Sequence, residues 1–472
     1  MRTEMLLLPH WIARREFLER LRDGRLYWAG GLVVVLLLTA LAVGWSHQRA
    51  ARAEQVAAQA MDYHDWLHQD SRHPHDAAHQ GMHAFKPEPP LSMVDSGIDP
   101  FIGSTVWLQA HRQSEVKFNA AQDATGLQRF GSLSVGWVLQ VLGPLLVIVL
   151  GFNAFAGERE QGILRQTLSL GVAPLRLLAG KALALAASLA ALLAPAAVVA
   201  AIAVAAGAAP GERADALLRL AAWSLGYAVY LGIFVFVVLG VSALASSSRM
   251  AITVLLALWI GQAVMAPRVL SELSRNWFPS PTRLVFNQQL GAELKAVSDR
   301  VWQQNFGTTE RWGRDVPLSK WGIALRLDDQ ASYPVYDRHY NRLWDTWERQ
   351  QAMQEWSGLV LPILAVRSFS MGMAGTDFAH HRRFTTAAEG HRRQIQDLMS
   401  RDLVAHADPL GDRHFSYQAP PELWATVPPF DYRPPGAGWA LARQARSFAV
   451  LCAGLLLAAA FAAFATQRQR AL

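Results

Sequence analysis

Polar and apolar residues are segregated along this chain. Six stretches, Leu26–Ser46, Gly131–Gly157, Ala182–Gly211, Ala221–Ser248, Met250–Pro267 and Ser447–Gln467, contain no Asp, Glu, Lys, Arg or His. Each is at least 18 residues long, and about 20 apolar residues in a helix cross a hydrocarbon core of ~30 Å. A soluble helix turns one face to water, so charge returns within a few turns. The pattern therefore predicts an all-α integral membrane protein with six transmembrane helices, at 26–46, 131–157, 182–211, 221–248, 250–267 and 447–467. The connections are unequal. Segments 1–25, 158–181 and 468–472 are short, whereas 47–130 and 268–446 hold more than half of the 472 residues and must fold as domains.

Inside the long loops the patterning is helical. Gln48–His68 is rich in Ala and lacks Gly and Pro, so the first span is expected to continue as a helix beyond the membrane. Helical periodicity recurs at Leu284–Phe306, Pro334–Trp356 and Phe384–His406, and the Pro-rich run Pro420–Pro435 reads as extended chain. No Val/Ile/Thr alternation is long enough for a long strand. Both loops are expected to be mostly helical.

Charge then orients the chain. The first 25 residues carry six Arg against four acids, and 158–181 carries Arg159, Arg165, Arg176 and Lys181 against two. Arg249 lies between spans four and five, and Arg468 and Arg470 follow span six. The positive-inside rule places all four segments, and so both termini, in the cytoplasm. The large loops are then extracytoplasmic, although Arg443 and Arg446 flank the opposite end of span six. Leu6, Leu7, Trp11, Phe17, Leu18 and Leu21 recur near helical spacing among arginines. They suit an amphipathic segment on the cytoplasmic membrane surface, with a solvated basic tail as the alternative. Trp28 and Trp45 bracket the first span like interfacial anchors. Ala40-Leu41-Ala42 resembles a leader cleavage site, but the charged segment before it and the apolar run are both too long for a leader.

Composition removes several functions. A mean hydropathy of +0.13 averages two populations, spans and loops. The net charge of +7 is scattered and Arg-dominated, which argues against nucleic acid as a partner. The one cysteine, Cys452, lies in the last span, so no intrachain disulfide forms. Spans without ionisable residues disfavour ion-coupled transport, which needs intramembrane carriers of charge. Gln140, Asn153, Ser188, Ser224 and Gln262 remain there to join helices by hydrogen bonds. Gly180-Lys181 is followed by Ala182, and position 175 is Leu, so no phosphate-binding loop is present. No His-Glu-x-x-His or Gly-x-Ser-x-Gly occurs. Nucleotide energy would have to come from another polypeptide.

One connection stands apart. Gly157-Glu158-Arg159-Glu160-Gln161-Gly162-Ile163-Leu164-Arg165-Gln166-Thr167-Leu168 follows span two and runs through Pro174, Leu175 and Arg176 to Gly180-Lys181. A short amphipathic helix suits Gly162–Leu170, with Ile163, Leu164, Leu168 and Leu170 on the membrane and Arg165 and Gln166 toward the cytosol. Acidic residues at its start favour the helix dipole and offer acceptors to a partner's Arg or Lys. The plain reading is a solvated turn.

This Glu-x-Glu-x-Gly segment, with its Pro-Leu-Arg step and Gly-Lys, resembles the cytoplasmic coupling segment of type-2 ABC transporter permeases, which have six spans and both termini inside. Ser368–Ser370, Met371 and Gly375-Thr376-Asp377-Phe378-Ala379-His380-His381-Arg382 are similar to a block in a bacterial subgroup with a large, uncharacterised extracytoplasmic insert. Ile163 departs from the Thr frequent in the family. The resemblance implies an inner-membrane permease subunit, chiefly of exporters, without its own nucleotide site. It pairs with a second permease subunit, as a homodimer or a paralogous heterodimer. ATP and Mg bind on an ABC ATPase subunit dimer. By that resemblance Glu158, Arg159, Glu160, Gly162 and Arg165 receive the ATPase stroke. The rivals are a permease that transmits force to a periplasmic partner without transport, and a membrane-anchored enzyme or metal-binding protein.

Weaker constellations lie in the loops. His64, His68, His73, His75, His79 and His83 place six of the fifteen histidines in 20 residues. His75, His79 and His83 have the i,i+4 spacing that can present imidazoles to Zn, Cu or Ni, although Pro74 and Gly81 interrupt a helix there. A solvated loop is the alternative. Tyr333, Tyr336, Tyr340, Trp344, Trp347 and Trp356 read as a domain core or a binding surface for lipid, peptide or glycan. Leu359–Val366 is apolar but too short to span, and is expected to rest on the membrane surface or to be buried. His380-His381 beside Asp377 lacks a nucleophile. Spans three and six, rich in Ala, are expected to pack inside the bundle or at a dimer seam.

Overall fold

The computed structural model describes residues 2–118, 133–209, 211–310, 318–407 and 416–471. The predicted boundaries at 131, 210–211 and 472 touch residues outside this set, as do loop segments 119–130, 311–317 and 408–415. Six helices are long and apolar enough to cross a membrane: Leu26–Leu67, Val135–Glu160, Pro174–Gly207, Arg213–Leu244, Ser248–Trp277 and Ala445–Gln467, spans one to six below. All six run past their charge-free stretches, because a helix does not end where charge begins. Span four starts with Arg213, Asp215 and Arg219 ahead of its apolar body. Span five absorbs Pro267, which lacks an N–H, through a π-helical turn at Gly261–Met265.

Span four is the hub, packed against spans two, three and six and against a helix at Pro362–Ala374. Glycines allow these approaches. A Cβ on Gly240 would fall 2.4 Å from the Phe461 ring in span six, and one on Gly226 equally close to Phe369. Span six therefore packs inside the bundle, as its small residues suggest. Ala-rich span three does not follow it: Val198, Val199 and Ile202 are exposed along its second half. Trp28 is exposed at one end of span one, whereas Trp45 is half-buried against the bundle core.

The chain termini, the span two–three connection and the span four–five turn gather at one end of the bundle, the terminal end. There the helix Arg2–Arg22 lies across the start of span three, with Ile12 against Gly180. It is a packed helix rather than a solvated tail; the side chains of Leu6 and Leu7 lie outside the described residues.

The two long loops share one core at the opposite, loop end. Trp66, Met82, Val106 and Leu108 from the first loop pack with Phe384, Ile395, Met399, Trp424 and Phe430 from the second. Span one continues unbroken to Leu67 and carries this domain: Trp66 Nε1 donates to Trp424 O (3.0 Å) and Gln59 Nε2 to Phe430 O (2.8 Å). The helices of the second loop are Arg283–Phe306, Trp321–Ser357, Pro362–Ala374 and Phe378–Ala405. Pro334 lies inside the second of these rather than starting it. A short 3-10 turn, Pro421–Thr426, interrupts the extended run. The one described sheet is small and antiparallel, in the order β1 (Met82–Phe85), β2 (Thr105–Leu108), β3 (Val116–Lys117), with Met82 opposite Leu108 and Thr105 opposite Lys117.

Candidate functional site

At the terminal end, span two breaks at Phe152–Phe155 and resumes as a short helix, Ala156–Glu160. Ser242 of span four holds the break, its Oγ accepting from Phe155 N (3.0 Å) and Ala156 N (3.1 Å). The next three side chains each grip a different helix. Glu158 accepts from Lys181 Nζ of span three (2.8 Å), and Lys181 also pairs with Glu16 of the N-terminal helix. Lys181 is fully buried, with its ammonium 5.3 Å from the centre of the Phe155 ring. Arg159 donates to the carbonyls of Ala243 (2.6 Å) and Ala245 at the end of span four, where helix carbonyls lack partners. Glu160 accepts from Ser248 N (3.0 Å) and Ser248 Oγ (2.7 Å), placing a carboxylate at the start of span five.

Gly162 then turns the chain at φ +75°, a left-handed conformation that favours glycine. The helix that follows, Ile163–Ser169, has no side-chain cap, because Gly162 occupies its cap position. Leu164 is buried, while Arg165, Gln166 and Ser169 are exposed. Leu170 does not share the apolar face predicted for it. The helix ends before it, Gly171 turns at φ +82°, and the side chain is 83% exposed at the tip of the connection. Sequence patterning gives Lys181 only as the end of the segment, without its contacts, and misses Glu16, Ser242 and Ser248. Their one visible signal is a polar residue at the margin of an apolar run.

At the loop end a second polar network is buried. Ser370 donates to Asp95 and accepts from Trp223 Nε1 (2.8 Å) and Tyr227 OH (3.1 Å). Gln140 Nε2 reaches Tyr227 OH at 2.9 Å, and Tyr230 OH donates to Gln140 O at 2.8 Å. These bonds join the first loop, spans two and four, and helix Pro362–Ala374. That helix contains most of Leu359–Val366 and is buried between spans four and six. Below the network lies an apolar cavity of ≈ 360 Å³, lined by Leu37, Leu139, Leu193, Ala197, Trp223 and Val235 among others.

The Ser368–Arg382 block is likewise structural in its contacts. Asp377 accepts from His380 N (3.0 Å) at the start of the next helix and from Gln444 Nε2 (3.0 Å). Burial pushes His381 down to about 3, with Lys86 adding to the shift, so its ring is neutral. The aromatic stripe is divided: Tyr336 and Trp344 are buried, Tyr333 and Tyr340 are half-buried, and Trp347 and Trp356 are exposed.

The structure separates the three predicted metal-site histidines. His75 and His79 lie on one short helix, Pro74–Gln80, which Pro74 and Gly81 delimit rather than interrupt. Gly81 ends it at φ +62°, so the next step of i,i+4 spacing is lost. His83 falls on β1 and pairs with Asp62 (2.6 Å). His111, 28 residues further on, takes the position expected of His83.

A bundle of six membrane-length helices, with a polar connection that binds the ends of several of them, defines a polytopic membrane protein. Residues 10–309 match the ABC-2 family transporter protein family, and residues 276–433 match a domain of unknown function, DUF3526. The first match covers more than half of the chain, which therefore belongs to the ABC-2 transporter family, as a membrane permease carrying an extra domain. No curated protein matches it.

Proposed function

We propose that the chain is the permease subunit of an ATP-driven exporter in a bacterial inner membrane, with both termini and the 158–181 connection in the cytoplasm. A separate ABC ATPase dimer supplies ATP and Mg, and a second permease subunit, identical or paralogous, completes the pathway. The observation that carries this reading is the three-way grip of Glu158, Arg159 and Glu160. A push on the exposed Ile163–Ser169 helix reaches spans three, four and five through their ends. The apolar cavity at bilayer depth is the part of the pathway this subunit contributes, and it suits cargo with a large hydrocarbon part.

The test is co-expression with each ABC ATPase subunit of the source genome that lacks spans of its own, followed by affinity capture and ATPase assay in lipid nanodiscs. Recovery of both chains, with ATPase activity raised over the motor alone, supports the reading. Absence of association overturns it. A cysteine placed at Arg165 in a Cys452→Ala background and labelled only from outside the cell also overturns it.

The burial of the second loop's helix Pro362–Ala374 between spans four and six ties that loop to the bundle and favours a second reading, in which the stroke is delivered to a periplasmic partner. Cargo movement in sealed vesicles holding only the permease and the motor would decide for transport.

A further inference from the structure

We propose that the loop domain holds one transition-metal dication, of the zinc class, between the Nε2 atoms of His75 and His79 and a ring nitrogen of His111. His75 Nε2 stands 3.1 Å from His79 Nε2 and 3.5 Å from His111 Nε2, and one nitrogen of each ring lies within 4.8 Å of the others. Tetrahedral zinc with Zn–N of about 2.0–2.1 Å requires donor separations of roughly 3.3–3.4 Å, between the two short distances. A hydrogen bond explains the cluster less well. His75 Nε2 faces two ring nitrogens, and one N–H can point at only one of them. A central cation serves all three.

The surroundings are built for the same end. Asp329 Oδ1 lies 3.3 Å from His111 Nδ1. A carboxylate there favours the Nδ1–H tautomer and turns the Nε2 lone pair toward the cluster, the arrangement that supports metal-binding imidazoles. His111 is one of two described non-glycine residues at positive φ, +65°, a left-handed conformation that needs outside support. Ala110 N bonds to Ala78 O at 2.9 Å and Tyr336 OH to His111 O at 3.1 Å, tying the turn to the His75–His79 helix and to the second loop. Three imidazoles without a thiolate suit a borderline dication, and the fourth position is left for water or another ligand. The site bridges the two loops: its ligands belong to the first, and Asp329 and Tyr336 to the second.

The test is calorimetric titration of the tag-free, full-length protein in detergent with ZnCl2 in the presence of millimolar MgCl2. One zinc per chain with micromolar or tighter affinity is expected. His111→Ala should weaken binding at least tenfold, as should His79→Ala, whose exposed position makes a folding defect a poor explanation. Asp329→Asn should weaken it by about tenfold or more through the ring it orients, while His83→Ala leaves it unchanged. No saturable binding, binding that survives both histidine variants, or an equal loss in His83→Ala overturns the site.

Discussion

The two ends of the bundle solve the same problem with different balances of charge and volume. At the terminal end, helices are joined by charge: Lys181 between Glu16 and Glu158, Arg159 on two carbonyls, Glu160 on Ser248. At the loop end they are joined chiefly by volume, through Trp66, Phe384 and Trp424 in one apolar core, with a hydrogen-bonded network around Ser370 and buried ion pairs such as Arg392–Glu389 set into it. An apolar core resists displacement in every direction, because close packing leaves no room to slide. Directional bonds at helix ends can transmit displacement along the helices while the rest of each helix remains free to tilt. Under the proposed function, the difference suits the terminal end to take up motion and the loop domain to move as one body.

The largest effects should come from deleting the centre of each joint. Lys181→Met leaves Glu16 and Glu158 facing each other in a buried site, and removing one partner of a buried ion pair costs about 3–5 kcal/mol. Trp424→Ala, at a fully buried position, should cost a similar ~3–5 kcal/mol through the cavity it leaves. The two should differ in what they loosen, as read by hydrogen exchange. Lys181→Met should expose amides in Ala156–Ser169 and the N-terminal helix, and Trp424→Ala those of β1, β2 and Phe378–Ala405. Identical exchange maps would erase the distinction between the joints.

Acid should act on the loop domain first. His381 is neutral and buried, with a pKa near 3 in the folded protein against about 6.5 when unfolded. Between those values the unfolded chain binds more protons. The contribution is thus complete above pH 6.5 and lost progressively as pH falls toward 3, reaching about 2 kcal/mol at pH 5. His381→Gln should flatten the pH dependence of thermal unfolding in this window. An unchanged slope would assign the acid sensitivity to other groups.

Apolar runs reveal spans because a bilayer punishes charge over a long contiguous stretch, and the order of six helices follows from that alone. The extension of span one to Leu67 was equally readable, since nothing in Gln48–His68 breaks a helix. The shared core of the two loops was not. Its members, such as Met82 and Trp424, lie more than 300 residues apart, and patterning along one segment carries no record of a partner in another. The coupling residues were legible as a motif but not as contacts: Glu158 reads as a solvated acid until Lys181 is folded over it. Spacing gave His75 and His79 together because a single helix carries both. It misplaced His83, because Gly81 converts helical register into strand register, and it missed His111, which arrives through an unrelated turn.

The smallest effect on stability should carry the most functional weight. Arg165 is exposed on helix Ile163–Ser169 and makes no described hydrogen bond or ion pair, so Arg165→Glu should leave the melting temperature in detergent unchanged. Exposed charges away from caps and cores contribute little to folding. A reversed charge at a docking surface acts instead on a partner, chiefly by slowing association and raising its salt dependence. Capture of the ATPase by the variant should fall in low salt and approach the wild-type level in high salt, where the charge is screened. Glu160→Lys sharpens the comparison, because it changes the same surface and also removes the acceptor for Ser248. It should weaken ATPase stimulation even where capture is retained, since the grip on span five is lost. If Arg165→Glu captures the motor normally at every salt concentration, the exposed helix is a turn between spans, and the ion pairs beneath it serve only to hold the bundle together.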